Sequence, residues 1–237
     1  MRILLSLAIL SSFISCTSFF NCVEGVGEIT SWDTVGSPIH SIDNNLSADV
    51  KYNYDPRLKE TRVSIEGEQN LLDMIELEFD GAELEIDASQ CLNSKEGIKI
   101  IISSPNLRSL KMDGSGNFKC EQLISAKKLH MELNGSGNID ISAETKELEA
   151  ILYGSGDIKL SGKSKYLESK IIGSGDIDAE FLEAQEVYSK INGSGNSRVW
   201  ATQDLEIKIS GSGDVFYKGD PSELSQKTKG SGTVEKL

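Results

Sequence analysis

The sequence predicts an all-β protein, a parallel β-helix of stacked coils, each about 19–20 residues long and right-handed like most parallel crossovers. Three observations predict it. The tripeptide Gly-Ser-Gly returns seven times, beginning at Gly114, Gly135, Gly154, Gly173, Gly193, Gly211 and Gly230, at intervals of 21, 19, 19, 20, 18 and 19 residues. Self-similarity at such a period marks units that bury their apolar faces only by stacking on one another. Apolar and polar residues also alternate around each tripeptide, as in Leu205-Glu206-Ile207-Lys208-Ile209. A period of two is the mark of a strand with one buried face. Finally, the same kind of side chain recurs at the same place in successive repeats, which stacked coils require and hairpins do not.

The chain opens with a secretion signal over residues 1–16. Arg2 supplies the positive start, Ile3 to Ile14 an apolar run broken only by serines, and small Ser15 precedes Cys16. The run is too short to span a bilayer. Phe13-Ile14-Ser15-Cys16 resembles a bacterial lipobox, so Cys16 is the expected lipidation site and a lipid anchor the expected link to a membrane. Cys22 fits less well because Asn21 precedes it. Residues 17–30 are then a tether, and 31–237 one continuous β-helical domain.

Within that domain, 31–105 forms irregular opening coils. Ala48, Val50 and Tyr52 alternate with polar residues, as do Val63 and Ile65, then Ile75, Leu77 and Phe79, then Leu84 and Ile86, then Ile98, Ile100 and Ile102. Pro38, Pro56 and Gly81 punctuate them. This half is expected to cover the first edge of the stack. Residues 106–237 carry the repeats. Inward positions stand two residues before the first glycine (Met112, Leu133, Leu152, Ile171, Ile191, Ile209) and four after it (Phe118, Ile139, Ile158, Ile177, Ser197, Val215). Each repeat reads as two short strands, a tight corner and a polar return such as Ser142 to Glu147.

The corner residues are Gly114 and Gly116, Gly135 and Gly137, Gly154 and Gly156, Gly173 and Gly175, Gly193 and Gly195, Gly211 and Gly213, and Gly230 and Gly232. A sharp turn between stacked strands demands positive φ or close backbone approach, and glycine supplies both. Gly175 is expected at positive φ. After each tripeptide comes Asn117, Asn138, Asp157, Asp176, Asn196, Asp214 or Thr233. Asn and Asp tolerate the left-handed region, bond to nearby backbone and can form a ladder. The last coil puts Gln226, Thr228 and Lys236 at inward positions beside Lys227 and Lys229, a lysine-rich stop against edge-to-edge pairing. With Cys16 lipidated, an odd set remains: Cys22, Cys91 and Cys120. Cys120 falls on an inward position and reads as a small buried hydrophobe; a Cys91–Cys120 bridge stays open.

A net charge of −13 leaves no footprint for nucleic acid. Gly162-Lys163-Ser164 has Asp157 where a phosphate loop needs its first glycine, so no nucleotide is expected. His40 and His130 lack companions for a triad or a zinc site. The column Asp157, Asp176, Asp214 is interrupted by Asn196 and continued by Asn117 and Asn138, which points to a structural role. No catalytic residue, metal site or cofactor is therefore assigned.

The repeated Gly-Ser-Gly-(Asn/Asp)-Ile, clearest at Gly135 to Ile139 and Gly173 to Ile177, occurs together with Val63-Ser64-Ile65-Glu66-Gly67-Glu68-Gln69-Asn70-Leu71-Leu72 and Leu84-Glu85-Ile86. The combination resembles the "putative auto-transporter adhesin, head GIN domain" family of Gram-negative envelope proteins, from about Ser37 to Val234. The resemblance implies a β-helical envelope protein with no catalytic pattern. The expected function is that of an outer-membrane lipoprotein, exported by the general route, with an adhesive or polysaccharide-binding body. Another envelope protein is the other candidate partner. A structural spacer is the alternative, and a polysaccharide-cleaving enzyme the third reading. A ligand is expected along the stack, and replacing Asp157, Asp176 and Asp214 together is expected to leave the fold intact.

Overall fold

The computed structural model describes residues 22–237. Residues 1–21, with the signal, Cys16 and the start of the tether, lie outside the described residues. The opening half contains β1 (Val23–Glu24), β2 (Ile29–Gly36), β3 (Ser41–Asn44), β4 (Asp49–Tyr54), β5 (Thr61–Glu68), the one-turn helix α1 (Gln69–Leu72), β6 (Ile75–Asp80), β7 (Glu83–Ala88), β8 (Leu92–Asn93) and β9 (Lys99–Ser104). The repeats contain β10 (Ser109–Gly114), β11 (Phe118–Gly135), β12 (Asn138–Gly154), β13 (Asp157–Gly173), β14 (Ile177–Gly193), β15 (Ser197–Gly211), β16 (Val215–Lys218), β17 (Glu223–Gly230) and β18 (Val234–Lys236).

The result is a parallel β-solenoid of about 7 turns. From β10 to β18 every pairing is parallel, and equivalent residues of successive coils stand directly opposite, as in Leu133↔Leu152, Leu152↔Ile171 and Ile171↔Ile191. Ile139, Ile158 and Ile177 form a second such column. These columns are the core: Leu133, Leu152, Ile158, Ile171, Ile177 and Ile191 are fully buried or nearly so. The period of two read from the sequence is thus a stack of aliphatic ladders.

The polar return is itself a strand. Ser142, Ala143, Glu144 and Thr145 pair with Ser161, Gly162, Lys163 and Ser164. Each coil from β11 to β15 is therefore one strand of 15–18 residues between glycine corners. It bends where the inward phase slips by one residue, from Thr145 to Leu148 across Lys146 in β12. The side was illegible as a strand because its inward residues, among them Ala143, Ser164, Ala184 and Ala201, are small or polar.

The opening end is finished with antiparallel strands. One side of the stack runs β11–β4–β9 in parallel, then turns antiparallel through β5 and β2. Another runs β11–β10–β3–β7 in parallel and ends on antiparallel β6. Only Gly81 and Ala82 join β6 to β7, and so short a link permits only antiparallel pairing. These strands and Leu71 of α1 close the core, as a cover over the first edge requires.

One open pairing is settled here and one expectation corrected. Cys91 is bonded to Cys22 and not to Cys120, which stays a free, buried thiol. Burial also raises the Cys120 pKa. Residues 22–30 of the expected tether belong to the folded body. The disulfide holds Cys22, β1 pairs with β8, and β2 begins at Ile29. At the other end all eight residues of β17 are exposed, including Gln226, Lys227, Thr228 and Lys229.

Candidate functional site

The Gly-Ser-Gly corners are a stacking device. At each corner the first glycine has positive φ, from 105° at Gly114 to 144° at Gly173 and Gly193. The second does not, which corrects the expectation for Gly175. Its reason is space: a Cβ on Gly175 would lie 1.9 Å from the carbonyl oxygen of Gly156 in the coil below. Gly137, Gly156, Gly195, Gly213 and Gly232 meet the glycine carbonyl beneath them in the same way, and Gly116 meets that of Ala48. The first glycine's carbonyl accepts from the next corner, as Gly154 O does from the N–H groups of Ser174 and Gly175 at 2.8 and 3.1 Å.

The Asn/Asp column beside the corners is structural. None of its members has positive φ, so tolerance of the left-handed region plays no part. Instead, from Asp157 on, a side-chain oxygen accepts from the backbone N–H one coil on: Asp157 from Asp176 (3.1 Å), Asp176 from Asn196 (2.6 Å), Asn196 from Asp214 (3.0 Å) and Asp214 from Thr233 (2.7 Å), whereas Asn117 Oδ1 accepts from the Asn138 side-chain amide at 2.7 Å. Asp49 starts the column by accepting from Asn117 N–H at 3.0 Å. Sequence reasoning missed it because that coil lacks the tripeptide. One oxygen of each of Asp157, Asp176, Asn196 and Asp214 is thus committed to the backbone, which gives the column a structural role. Its triple replacement, expected above to leave the fold intact, should still cost stability, because three backbone N–H groups lose their acceptors.

The surface that can accept an extended ligand is a groove along the stack axis. One wall stands seven residues before each corner: Lys128, Glu147, Tyr166, Glu186, Asp204 and Glu223. The other stands five before it: His130, Glu149, Glu168, Tyr188, Glu206 and Ser225. Each wall is in register from coil to coil. Two clefts, of about 180 and 350 Å³, share Tyr166 and make one trough from β11 to β17. At one end most carboxylates are neutralised. Lys128 pairs with Glu147 at 2.5 Å, His130 with Glu149 at 3.0 Å, and Lys170 with Glu168 and Glu149 at 2.7 and 3.1 Å. Burial pushes the Glu149 pKa up, but hydrogen bonds from Lys170 and His130 outweigh it and hold the carboxyl below its ordinary value. The Lys170 pKa is raised in turn, chiefly by its bond to Glu168.

The other end differs. Glu186, Asp204 and Glu223 stand on three successive rungs with no cation within 4 Å among the described residues. Tyr166 stacks directly on Glu186, and Tyr188 stands across from them with Lys208 above its ring at 5.1 Å. Burial raises the Tyr166 pKa. Carboxylates accept hydrogen bonds only, and a tyrosine ring offers an apolar face with a polar tip. Together they fit a neutral ligand rich in hydroxyl groups.

Of the other aromatic residues of the repeats, Phe118 is buried in the core and Tyr153 lies outside the groove. Tyr166 was missed, although counting seven residues back from each corner reveals its column. A larger cleft, about 460 Å³, lies elsewhere, where β4, β5, β9 and β11 meet. Its Lys99 and Lys119 are engaged by Glu66 at 3.1 Å and Glu121 at 3.3 Å. It also spans successive strands, from β11 through β4 and β9 to β5, but only over the opening coils. Among the described residues no His, Cys, Asp and Glu cluster is arranged to hold a metal ion.

A solenoid with a glycine spine and an axial groove defines a class of repeat protein with long, regular outer surfaces. Residues 41–221 match the family model described as "Putative auto-transporter adhesin, head GIN domain", and the chain belongs to that family. Similar crystal structures include a putative adhesin from Bacteroides fragilis, at 26% identity and TM-score 0.86, covering 91% of this chain and 100% of that one. A putative lipid binding protein from Parabacteroides distasonis is similar at 27% identity and TM-score 0.75, covering 91% and 99%. A putative adhesin from Parabacteroides merdae shares the fold at 21% identity and TM-score 0.77, covering 91% and 98%. No curated protein matches the chain.

Proposed function

We propose that the chain is a non-catalytic cell-envelope protein, anchored through lipid on Cys16, that binds a neutral polysaccharide lying along its axial groove. The observation that carries the reading is the column Tyr166, Glu186, Asp204, Glu223, which presents a ring and three unpartnered carboxylates on successive coils. The coil repeat, about 4.8 Å, is close to the length of one hexose unit, so consecutive sugars meet consecutive rungs. Carboxylates aligned in this way repel an acidic chain and favour an uncharged one. Each contact is weak, and linked contacts accumulate through effective concentration. The adhesin descriptions of the family and of two similar structures support an envelope role. For the anchor, Cys16→Ala should release the protein from the membrane fraction.

The test is a glycan array probed with the full chain, with and without calcium. Binding should favour neutral polymers over their short fragments, be indifferent to calcium, and weaken with Tyr166→Ala. Release of shortened sugars, abolished by changing one carboxylate, would overturn the non-enzyme reading. Silence against every glycan would favour the structural spacer.

A further inference from the structure

We infer that a second site, formed by Phe181, Arg198, Trp200, Phe216 and Lys218 near the end of the stack opposite the antiparallel cover, binds an acidic polysaccharide bearing carboxylates on its sugar rings. Arg198 pairs in register with Phe216, and Trp200 with Lys218. Side chains two apart on a strand share a face, so the four make a checkerboard of two cations and two rings. Lys218 Nζ sits 4.2 Å from the centre of the Trp200 ring and 5.8 Å from that of Phe181. The Arg198 guanidinium lies 5.5 Å from the Phe216 ring centre.

Phe181 is there because of a bulge. Ala179 pairs with Val199, but the next pair is Glu183 with Trp200, so extra residues of β14 face a single step of β15. Bulges re-aim side chains, and this one leaves Phe181 58% exposed. The chain is only 6% aromatic, yet three of its rings meet at this patch, which burial does not require.

The cations are available. Lys163 is paired with Glu183, Lys208 with Glu206 and Lys236 with Asp220, whereas neither Arg198 nor Lys218 has a carboxylate within 4 Å among the described residues. Asp178 and Glu183 stand one rung before Arg198 and Trp200, and Glu235 one rung after Phe216, so the two cations form a narrow basic strip between carboxylates. A cation resting on a half-buried ring at the surface, as on Trp200 and Phe216, is held only modestly. An incoming carboxylate can draw Lys218 off Trp200 and free the indole face for the apolar C–H face of the same sugar. Arg198 can take the next carboxylate through two parallel N–H bonds. The two cation–ring units span the same two strands and stand two residues apart along them, about 6.6 Å, within reach of neighbouring acidic sugars of one chain. The axial groove, lined by carboxylates, repels the same polymer.

The test uses the full chain with polygalacturonate as probe, dextran as the uncharged control and vesicles of phosphatidylcholine with phosphatidylglycerol as the alternative anionic surface, followed by tryptophan fluorescence. Polygalacturonate should bind saturably and quench Trp200, and added salt should weaken it. Lys218→Gln and Arg198→Gln should each weaken it about tenfold, as loss of a charge-assisted hydrogen bond does. Tyr166→Ala, in the other site, should change nothing. Lys218→Gln alters only a surface side chain and decides the matter if Trp200→Ala fails to fold. No saturable binding, binding indifferent to both cation variants, or patch-dependent binding to the vesicles without binding to polygalacturonate would each overturn the inference.

Discussion

Gly175→Ala tests the stacking device at its tightest point. The added Cβ would sit 1.9 Å from Gly156 O and 2.9 Å from Leu152 Cδ2. Ordinary contact needs about 3.5 Å, so the two coils must part locally by about 1.5 Å. The hydrogen bonds to Gly154 O, now 2.8 and 3.1 Å, would then be stretched past the useful range. Two weakened backbone bonds at about 1 kcal/mol each and about 1–3 kcal/mol of overpacking give a loss of about 3–5 kcal/mol. Gly97→Ala separates this effect from backbone strain. Gly97 has φ of 82° and nothing within 4 Å of the new carbon, so only the left-handed penalty of about 1–2 kcal/mol applies. Urea unfolding of both variants is the assay. With m of about 2–3 kcal/mol/M, Gly175→Ala should lower the midpoint by about 1–2.5 M and Gly97→Ala by about 0.3–1 M, less than half as much at the centres of the two ranges. Equal shifts, or a larger one for Gly97→Ala, would refute close stacking as the reason for the second glycine.

Other outcomes follow from the same geometry. Cys91→Ser opens a loop closed over a sequence separation of 69 residues and should cost about 2–4 kcal/mol in denaturant unfolding, while Cys120→Ala should leave the disulfide intact by mass spectrometry. Replacing Asp157, Asp176 and Asp214 together with alanine strips three backbone N–H groups of their acceptors and should lower stability by about 1 kcal/mol at each position; asparagine at the same places should restore most of it. The buried Glu68 carboxylate accepts from the Ser94 hydroxyl at 2.6 Å and Lys95 N–H at 2.9 Å, chiefly the former holding its pKa below the ordinary value. Its contribution is therefore full above the unfolded carboxyl pKa, about 4.3, and is lost as pH falls through the lower folded value. The midpoint gap between wild type and Glu68→Gln should narrow from neutral pH to about pH 3.

Where side chains carried the period, the fold was legible. Leu133, Leu152, Ile171 and Ile191 sit two residues before their corners and form one buried ladder. Where the inward residues are Ala143, Ser164 or Ala201, a strand read as a return, because small residues can fill a narrow side of the stack without apolar contrast. The two glycines of a corner looked alike in sequence, and both lack space for a Cβ beside the coil below, but only the first also has positive φ. The Cys22–Cys91 pairing was beyond reach, because it depends on where β1 meets β8. The groove was half visible: its walls are periodic, but at each position their residues change from Lys to Glu to Tyr, so no single residue type marks them.

The most direct test of the central claim is the affinity of the full chain for oligosaccharides of increasing length, cut from a neutral polymer bound on the array and followed by calorimetry. The account predicts that affinity climbs with each added unit until the groove from Lys128 to Ser225 is filled, then levels off, and that Tyr166→Ala lowers the whole curve. Affinity independent of length, or a curve that Tyr166→Ala leaves unmoved, would contradict it.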